Sequence, residues 1–295
     1  MSSPVLPPRH LLLALAVVMV WGTNFVVAKQ ALATLPPLTF AALRFTFAFL
    51  PAALFVARPA LPWRLLAGYG ALIGAGQFGL MFYAMRADIS PGLTAVVIQT
   101  QVFFTIGLAM LWRGERVSRL QMLALLLAIG GLAVIALHVD AATTPLGLLL
   151  VLIAALCWAG GNTVAQRAGK TPILAFMVWS SVFALPPLFV LAWWIEGPAA
   201  IAQGLRSADM GTWAAVAWQA LGNTLFGYGA WAWLLARYPA ATVVPMALLV
   251  PLFGLASSAL MLGEALPSWK LMAAALVVGG LGLNLLAAYA RARTA

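Results

Sequence analysis

The stretch 113–131, RGERVSRLQMLALLLAIGG, has a counterpart at 261–280, MLGEALPSWKLMAAALVVGG. Gly114-Glu115 precedes Gly130-Gly131 by the interval that separates Gly263-Glu264 from Gly279-Gly280. Earlier in each half, Trp21-Gly-Thr-Asn24 matches Trp158-Ala-Gly-Gly-Asn162 with one residue inserted, and a basic residue follows, Lys29 and Arg167. Short apolar words recur by chance, but one order of three different words is harder to repeat by accident. The reading is an internal duplication, residues 1–140 against residues 141–295.

The text between these marks sets the solvent. The chain of 295 residues is 64% hydrophobic and 7% charged, with a mean hydropathy of +1.04. Soluble domains carry roughly 25% charged residues, so lipid covers this surface. Lipid obliges each backbone N–H and C=O to find a partner within the protein, which leaves helices or closed barrels. Barrel strands alternate apolar and polar residues; here the apolar runs are continuous. Uncharged runs lie at 10–28, 45–57, 65–85, 89–112, 120–139, 141–166, 171–195, 210–236, 238–263 and 271–290. A span needs about 20 residues, so the second must start near Leu38 and carry Arg44 inside it. Each half therefore holds five spans. An odd number inverts the second half, and inverted repeats place a substrate site near the bilayer midplane between them. Asn24 then falls in the outer third of its span and Asn162 in the inner third of its own, bracketing the midplane.

The net charge of +10 does not point to nucleic acid, because of its placement. With the N-terminus inside, Arg9, Arg58, Arg64, Arg113, Arg116, Arg119, Arg167, Lys170, Arg237, Arg291 and Arg293 fall inside. Asp88, Asp140, Glu196, Asp209 and Glu264 fall outside with Lys29, Arg86, Arg206 and Lys270. Such a bias puts both termini in the cytoplasm of a cell or inner membrane. Arg9, the following apolar run and Ala31-Leu32-Ala33 imitate a signal peptide, but the run is long and has an internal copy, so it is read as a retained span. Cys157, the single cysteine, has no partner for an internal disulfide and is read as packing.

Ten spans in a five-plus-five inverted duplication, Trp21-Gly22-x-x-Phe25-x-x-x-Lys29, and the paired GE…GG endings resemble the drug/metabolite transporter superfamily of the EamA type. The resemblance covers nearly the whole chain. It implies an all-α integral membrane fold of ten transmembrane helices around a central cavity, and export of amino acids or related metabolites.

A polar group inside a span needs a partner or water. The mid-span amides are Asn24, Gln77, Gln99, Gln101, Asn162, Gln219, Asn223 and Asn284. Gln219 and Asn223 share one helix face; Gln99 and Gln101 point apart, and Gln99 is taken as the cavity residue. Trp63, Trp112, Trp193, Trp194, Trp213 and Trp269 sit at span ends, as interfacial belts do. Trp218 and Trp231 lie deeper, as do Trp21 and Trp158, which adjoin the paired asparagines and are placed on the cavity wall. Pro245 and Pro251 interrupt span 9 where span 4 has no proline, a one-sided kink and candidate hinge or gate. The Gly-Glu pairs are read as hairpin organisers. Lys29 and Arg44 are candidates to meet a substrate carboxylate. The substrate-binding candidates are thus Trp21, Asn24, Lys29, Arg44, Gln77, Gln99, Trp158, Asn162, Gln219 and Asn223.

No catalytic residue, metal set or cofactor motif emerges. His10 and His138 lie at span ends, no acid lies mid-membrane, and no G-x-x-x-x-G-K-[ST] loop is present. A membrane enzyme is therefore disfavoured. So is a proton-coupled efflux pump, which keeps a titrating group near its substrate; Glu115 and Glu264 are the loop acids that bear on that alternative. The partners expected are a small neutral or zwitterionic solute and the bilayer. A duplication supplies both halves of the site, so a monomer suffices. Reporters fused at residue 140 and after residue 295 are expected to read outside and cytoplasm respectively. Two ends of the chain that report on opposite faces would refute the ten-span count.

Overall fold

The computed structural model describes residues 6–113, 118–138, 143–169, 171–238 and 240–294. Gly114, Glu115 and Asp140, singled out above, lie outside them. Among the described residues the protein is an all-α integral membrane protein. Among the same residues eight helices are long and apolar enough to cross a bilayer: Pro8–Ala31, Trp63–Ala87, Pro91–Leu111, Arg119–Ala136, Pro145–Arg167, Ile173–Ser207, Val244–Leu262 and Ser268–Ala287. They are spans 1, 3, 4, 5, 6, 7, 9 and 10. Pro37–Ala53 is span 2, shorter than these, and it carries Arg44 within it. Span 8 joins Met210–Ala217, Trp218–Phe226 and Gly227–Arg237. It is long enough, but its tryptophans and amides make it less apolar.

Two pairs of irregular turns repeat between the halves, while a third π stretch, Ala192–Glu196 in span 7, stands apart. Span 3 is wound as π-helix over Leu72–Gly79 and span 8 over Trp218–Phe226. Span 4 tightens to 3-10 helix at Ile98–Thr100 and span 9 at Val244–Leu248. The separation Leu72 to Trp218 equals that from Ile98 to Val244. A 3-10 stretch is thus present in both spans: Pro245 lies within that of span 9, and span 4 makes its own without proline. A 3-10 turn needs only a shifted hydrogen-bond register, which proline favours but does not monopolise.

Small residues let the spans approach, as is usual where lipid removes the hydrophobic drive between helices. Spans 5 and 10 pair through Gly131 and Gly280: a methyl group on Gly280 would stand 2.7 Å from the Ala124 carbonyl oxygen, and one on Gly131 2.7 Å from Val277 Cγ2. Gly76 of the π stretch lies against Cys157 of span 6, which accounts for that thiol as packing. Gly263 closes span 9 in the left-handed conformation, φ 67°, where glycine avoids the Cβ strain of other residues. That turn delivers Glu264.

The Gly280→Ala variant is expected to lose about 1–3 kcal/mol through overpacking and to melt lower in detergent. Gly279→Ala, whose new methyl meets nothing within 4 Å, gains helix propensity of about 0.5–1 kcal/mol instead. Equal melting shifts in the two variants would refute the close crossing of spans 5 and 10.

Candidate functional site: a central cavity on irregular turns

A cavity of about 160 Å³ is enclosed by spans 1, 3, 4, 6, 8 and 9, three from each repeat. Span 1 supplies Trp21, Asn24 and Phe25; span 3, Gln77, Phe78 and Met81; span 4, Ile98, Gln99 and Gln101. Span 6 supplies Trp158, span 8 Asn223 and Tyr228, and span 9 Ala247 and Val250. Gln77 and Asn223 sit on the two π stretches, Gln99 and Ala247 on the two 3-10 stretches. A π turn or a 3-10 turn re-aims side chains relative to a regular helix. Gln99 and Gln101, two apart, would diverge on a regular helix, yet both reach the cavity because the 3-10 turn lies between them.

Trp21 is held in place from several directions. Its indole Nε1 donates to the Asn223 carbonyl at 3.2 Å. Its ring lies 5.4 Å from that of Tyr228 and 5.1 Å from that of Trp231. Contact with Gly227 leaves no room for a side chain there. Tyr228 and Phe78 were missed from the sequence; nothing in their spacing sets them apart from the other aromatic residues of their spans.

Four of the candidates do not line this cavity. Asn162 donates to Gln101 Oε1 at 2.8 Å and to Thr105 Oγ1 at 3.3 Å, so it braces Gln101 across spans 6 and 4. Gln219, wholly buried, donates to the Asn24 carbonyl at 3.3 Å. Arg44, 1% exposed, lies one layer behind the wall: it donates to Gln219 Oε1 at 2.8 Å and to Thr224 Oγ1 at 3.1 Å, and sits 3.6 Å over the Phe78 ring. Thr224 in turn donates its hydroxyl to the Gln219 carbonyl at 3.0 Å, within the π stretch. Lys29 is spent at one end of the bundle, donating to the Met85 and Arg86 carbonyls at 2.7 and 2.9 Å. Cations at helix C-termini satisfy unpaired carbonyls in this way.

The cavity is sided. A second hollow shares Gln99, Gln101 and Ala247 with it and runs on past Val244, Leu248 and Asn284, toward the end of the bundle where spans 4 and 10 finish. The opposite end is tied shut. Glu196 accepts from the backbone N–H groups of Leu38 and Thr39 and from the Thr39 hydroxyl, capping span 2, whose own N-cap residue is Pro36. Glu264 accepts from Gly92 N at 3.1 Å and from Ser90, Ser258 and Lys270, binding the start of span 4 to spans 9 and 10. Burial raises the Glu264 carboxyl; the hydrogen bonds of Ser258, Ser90 and Lys270 with the charge of Lys270 outweigh it, and the pKa lies below the ordinary value.

With that geometry established, known proteins place the chain. The model of the EamA-like transporter family matches residues 9–137 and 145–286. The chain belongs to the EamA-like transporter family. It is a multi-pass membrane transporter, and the expected superfamily is the one found. It is similar to a probable amino-acid metabolite efflux pump of Salmonella typhimurium, 40% identical over 282 residues that cover 92% of this chain and 93% of that one. A protein so described in Escherichia coli is 39% identical over the same shares. A solved crystal structure shares the fold with a TM-score of 0.63 at 19% identity, covering 95% of this chain and 98% of that one.

A carboxylate with a lowered native pKa stabilises the fold above its unfolded pKa, about 4.3 for glutamate, and loses that contribution as pH falls through the native value. Glu264→Gln is therefore expected to lower stability by about 1–3 kcal/mol at neutral pH. The difference in melting temperature between wild type and variant is expected to shrink as pH falls toward about 3. A gap that stays constant with pH would show that Glu264 is not ionised in its cluster.

Proposed function

We propose that this transporter exports small neutral or zwitterionic amino-acid metabolites across the cell membrane by alternating access. The observation that carries the reading is the cavity. At about 160 Å³, and continuous with a second hollow, it has room for a small solute. Its lining joins aromatic rings to five amides, Asn24, Gln77, Gln99, Gln101 and Asn223. Apolar walls with a few placed polar groups suit such solutes. The description of the Salmonella typhimurium and Escherichia coli relatives as probable amino-acid metabolite efflux pumps supports the same class.

The positive-inside bias turns the open end of the cavity toward the cytoplasm, the loading side for export. Export then requires the ties of Glu196, Glu264 and Lys29 to part while the inner ends of spans 4 and 9 close, and the 3-10 stretches at Ile98–Thr100 and Val244–Leu248, with Pro245 and nearby Pro251, are the hinges. None of the cavity-lining residues is acidic, and the driving force assigned here is the substrate's own gradient. The working unit assigned is the monomer, since both repeats contribute to one cavity.

Liposomes holding the purified protein at one copy per vesicle are expected to take up labelled small amino acids saturably. With substrate equal on both sides, an imposed pH gradient should produce no net accumulation. Trp158→Ala, at the wall, should cut uptake by roughly tenfold while leaving the melting profile intact. Accumulation abolished by a protonophore would overturn the uncoupled reading, and full activity in the Trp158 variant would overturn the assignment of the wall.

A further inference from the structure

We propose that Arg44, acting through the side-chain amide of Asn223, makes the central cavity selective for solutes that carry a carboxylate. The proposal rests on the export reading for its biological setting, but its own basis is the surroundings of one buried guanidinium.

Every polar group that Arg44 meets is neutral. Gln219 and Thr224 accept from its terminal nitrogens, and the Phe78 and Phe45 rings lie 3.6 and 5.4 Å from its guanidinium carbon. Its Nε is buried and has no hydrogen-bond partner. The acids of the described residues are engaged elsewhere. Asp88 accepts from Thr144, Asp209 caps Thr212, and Glu196 and Glu264 hold the closed end. A cation held in a span without a counter-charge is costly, and a partner is the ordinary expectation.

Asn223 connects this charge to the cavity. In the amide orientation that satisfies both of its ends, its oxygen accepts from both terminal nitrogens of Arg44, at 3.2 and 3.0 Å. The same residue lines the cavity. With the oxygen turned to the cation and to Asn24, the N–H groups are the donors that this cavity-lining amide has left. A donor polarised by a cation behind it favours an anionic acceptor over a neutral one. The solute's carboxylate thus supplies the counter-charge that the fold omits, one layer away from Arg44. A free ammonium without a carboxylate meets repulsion from the same charge. Arg44 is in this account a positioning and selectivity residue, not one that touches the solute.

The test uses the full chain and isosteric pairs. Propionate and propionamide are titrated into purified protein while the fluorescence of its tryptophans is followed, and each amino acid carried by liposomes is matched with its carboxamide as competitor. Wild type is expected to prefer the carboxylate member by about tenfold, the scale of one hydrogen bond to a charged group. Arg44→Lys keeps the charge and should retain part of the preference, whereas Arg44→Met should lose it. Asn223→Asp gives Arg44 an internal counter-charge without removing it, so it keeps the test open should Arg44→Met fail to fold. It is expected to abolish the preference. Equal binding of both members by wild type, or a preference undiminished in folded Asn223→Asp, would overturn the proposal. Preference for propionate with no amino-acid flux would instead overturn the export reading and leave this one standing.

Discussion

A polypeptide in hydrocarbon has to satisfy its own backbone, and this transporter departs from regular α-helix around the cavity, where side chains take up what the turns release. The π stretches of spans 3 and 8 and the 3-10 stretches of spans 4 and 9 bring Gln77, Asn223, Gln99 and Ala247 to one space. Thr224 shows how such a turn is tolerated, its hydroxyl returning to the Gln219 carbonyl. The irregular turns thus do two things at once. They bring polar side chains to the cavity, and they give spans 4 and 9 matching 3-10 stretches beside it.

Charge is distributed along the same logic. The carboxylates Glu196 and Glu264 serve as caps at helix starts, where unpaired N–H groups and the helix dipole favour an anion. Lys29 serves at a helix end, where carbonyls are unpaired. All three lie at the closed end, so that closure is built from charge-assisted bonds at the membrane surface, where water lowers the cost of breaking them. Arg44 alone of these is held deep, among amides and rings. The difference is one of desolvation: the caps stand at helix ends, whereas the Arg44 side chain is buried within its span.

Much of the fold was legible in the chain. The uncharged runs marked the spans, and the requirement that span 2 include Arg44 is met by Pro37–Ala53. Trp21, Asn24, Gln77, Gln99, Trp158 and Asn223 were picked out as polar or aromatic groups at depth, and all six line the cavity. What was not legible is which amides stop short of it. Asn162 and Gln219 have the same residue types at the same depths, yet one braces Gln101 and the other joins Arg44 to span 1. Gln99 was preferred to Gln101 on the spacing of a regular helix; both line the cavity, where the chain tightens to 3-10 helix.

Taken by itself, the sequence determined the class of solvent and the helical class of the fold, and it raised the expectation of ten spans in an inverted duplication, because hydropathy, charge and spacing are properties of local text and lipid penalises any misplaced charge. The tertiary structure alone decided which spans enclose the cavity, that one end is tied and the other open, and that Arg44 lies behind Asn223 rather than on the wall. Those depend on helix rotation and on turns whose hydrogen-bond register shifts by one residue. Such a shift changes where every following side chain points while leaving composition and periodicity almost untouched.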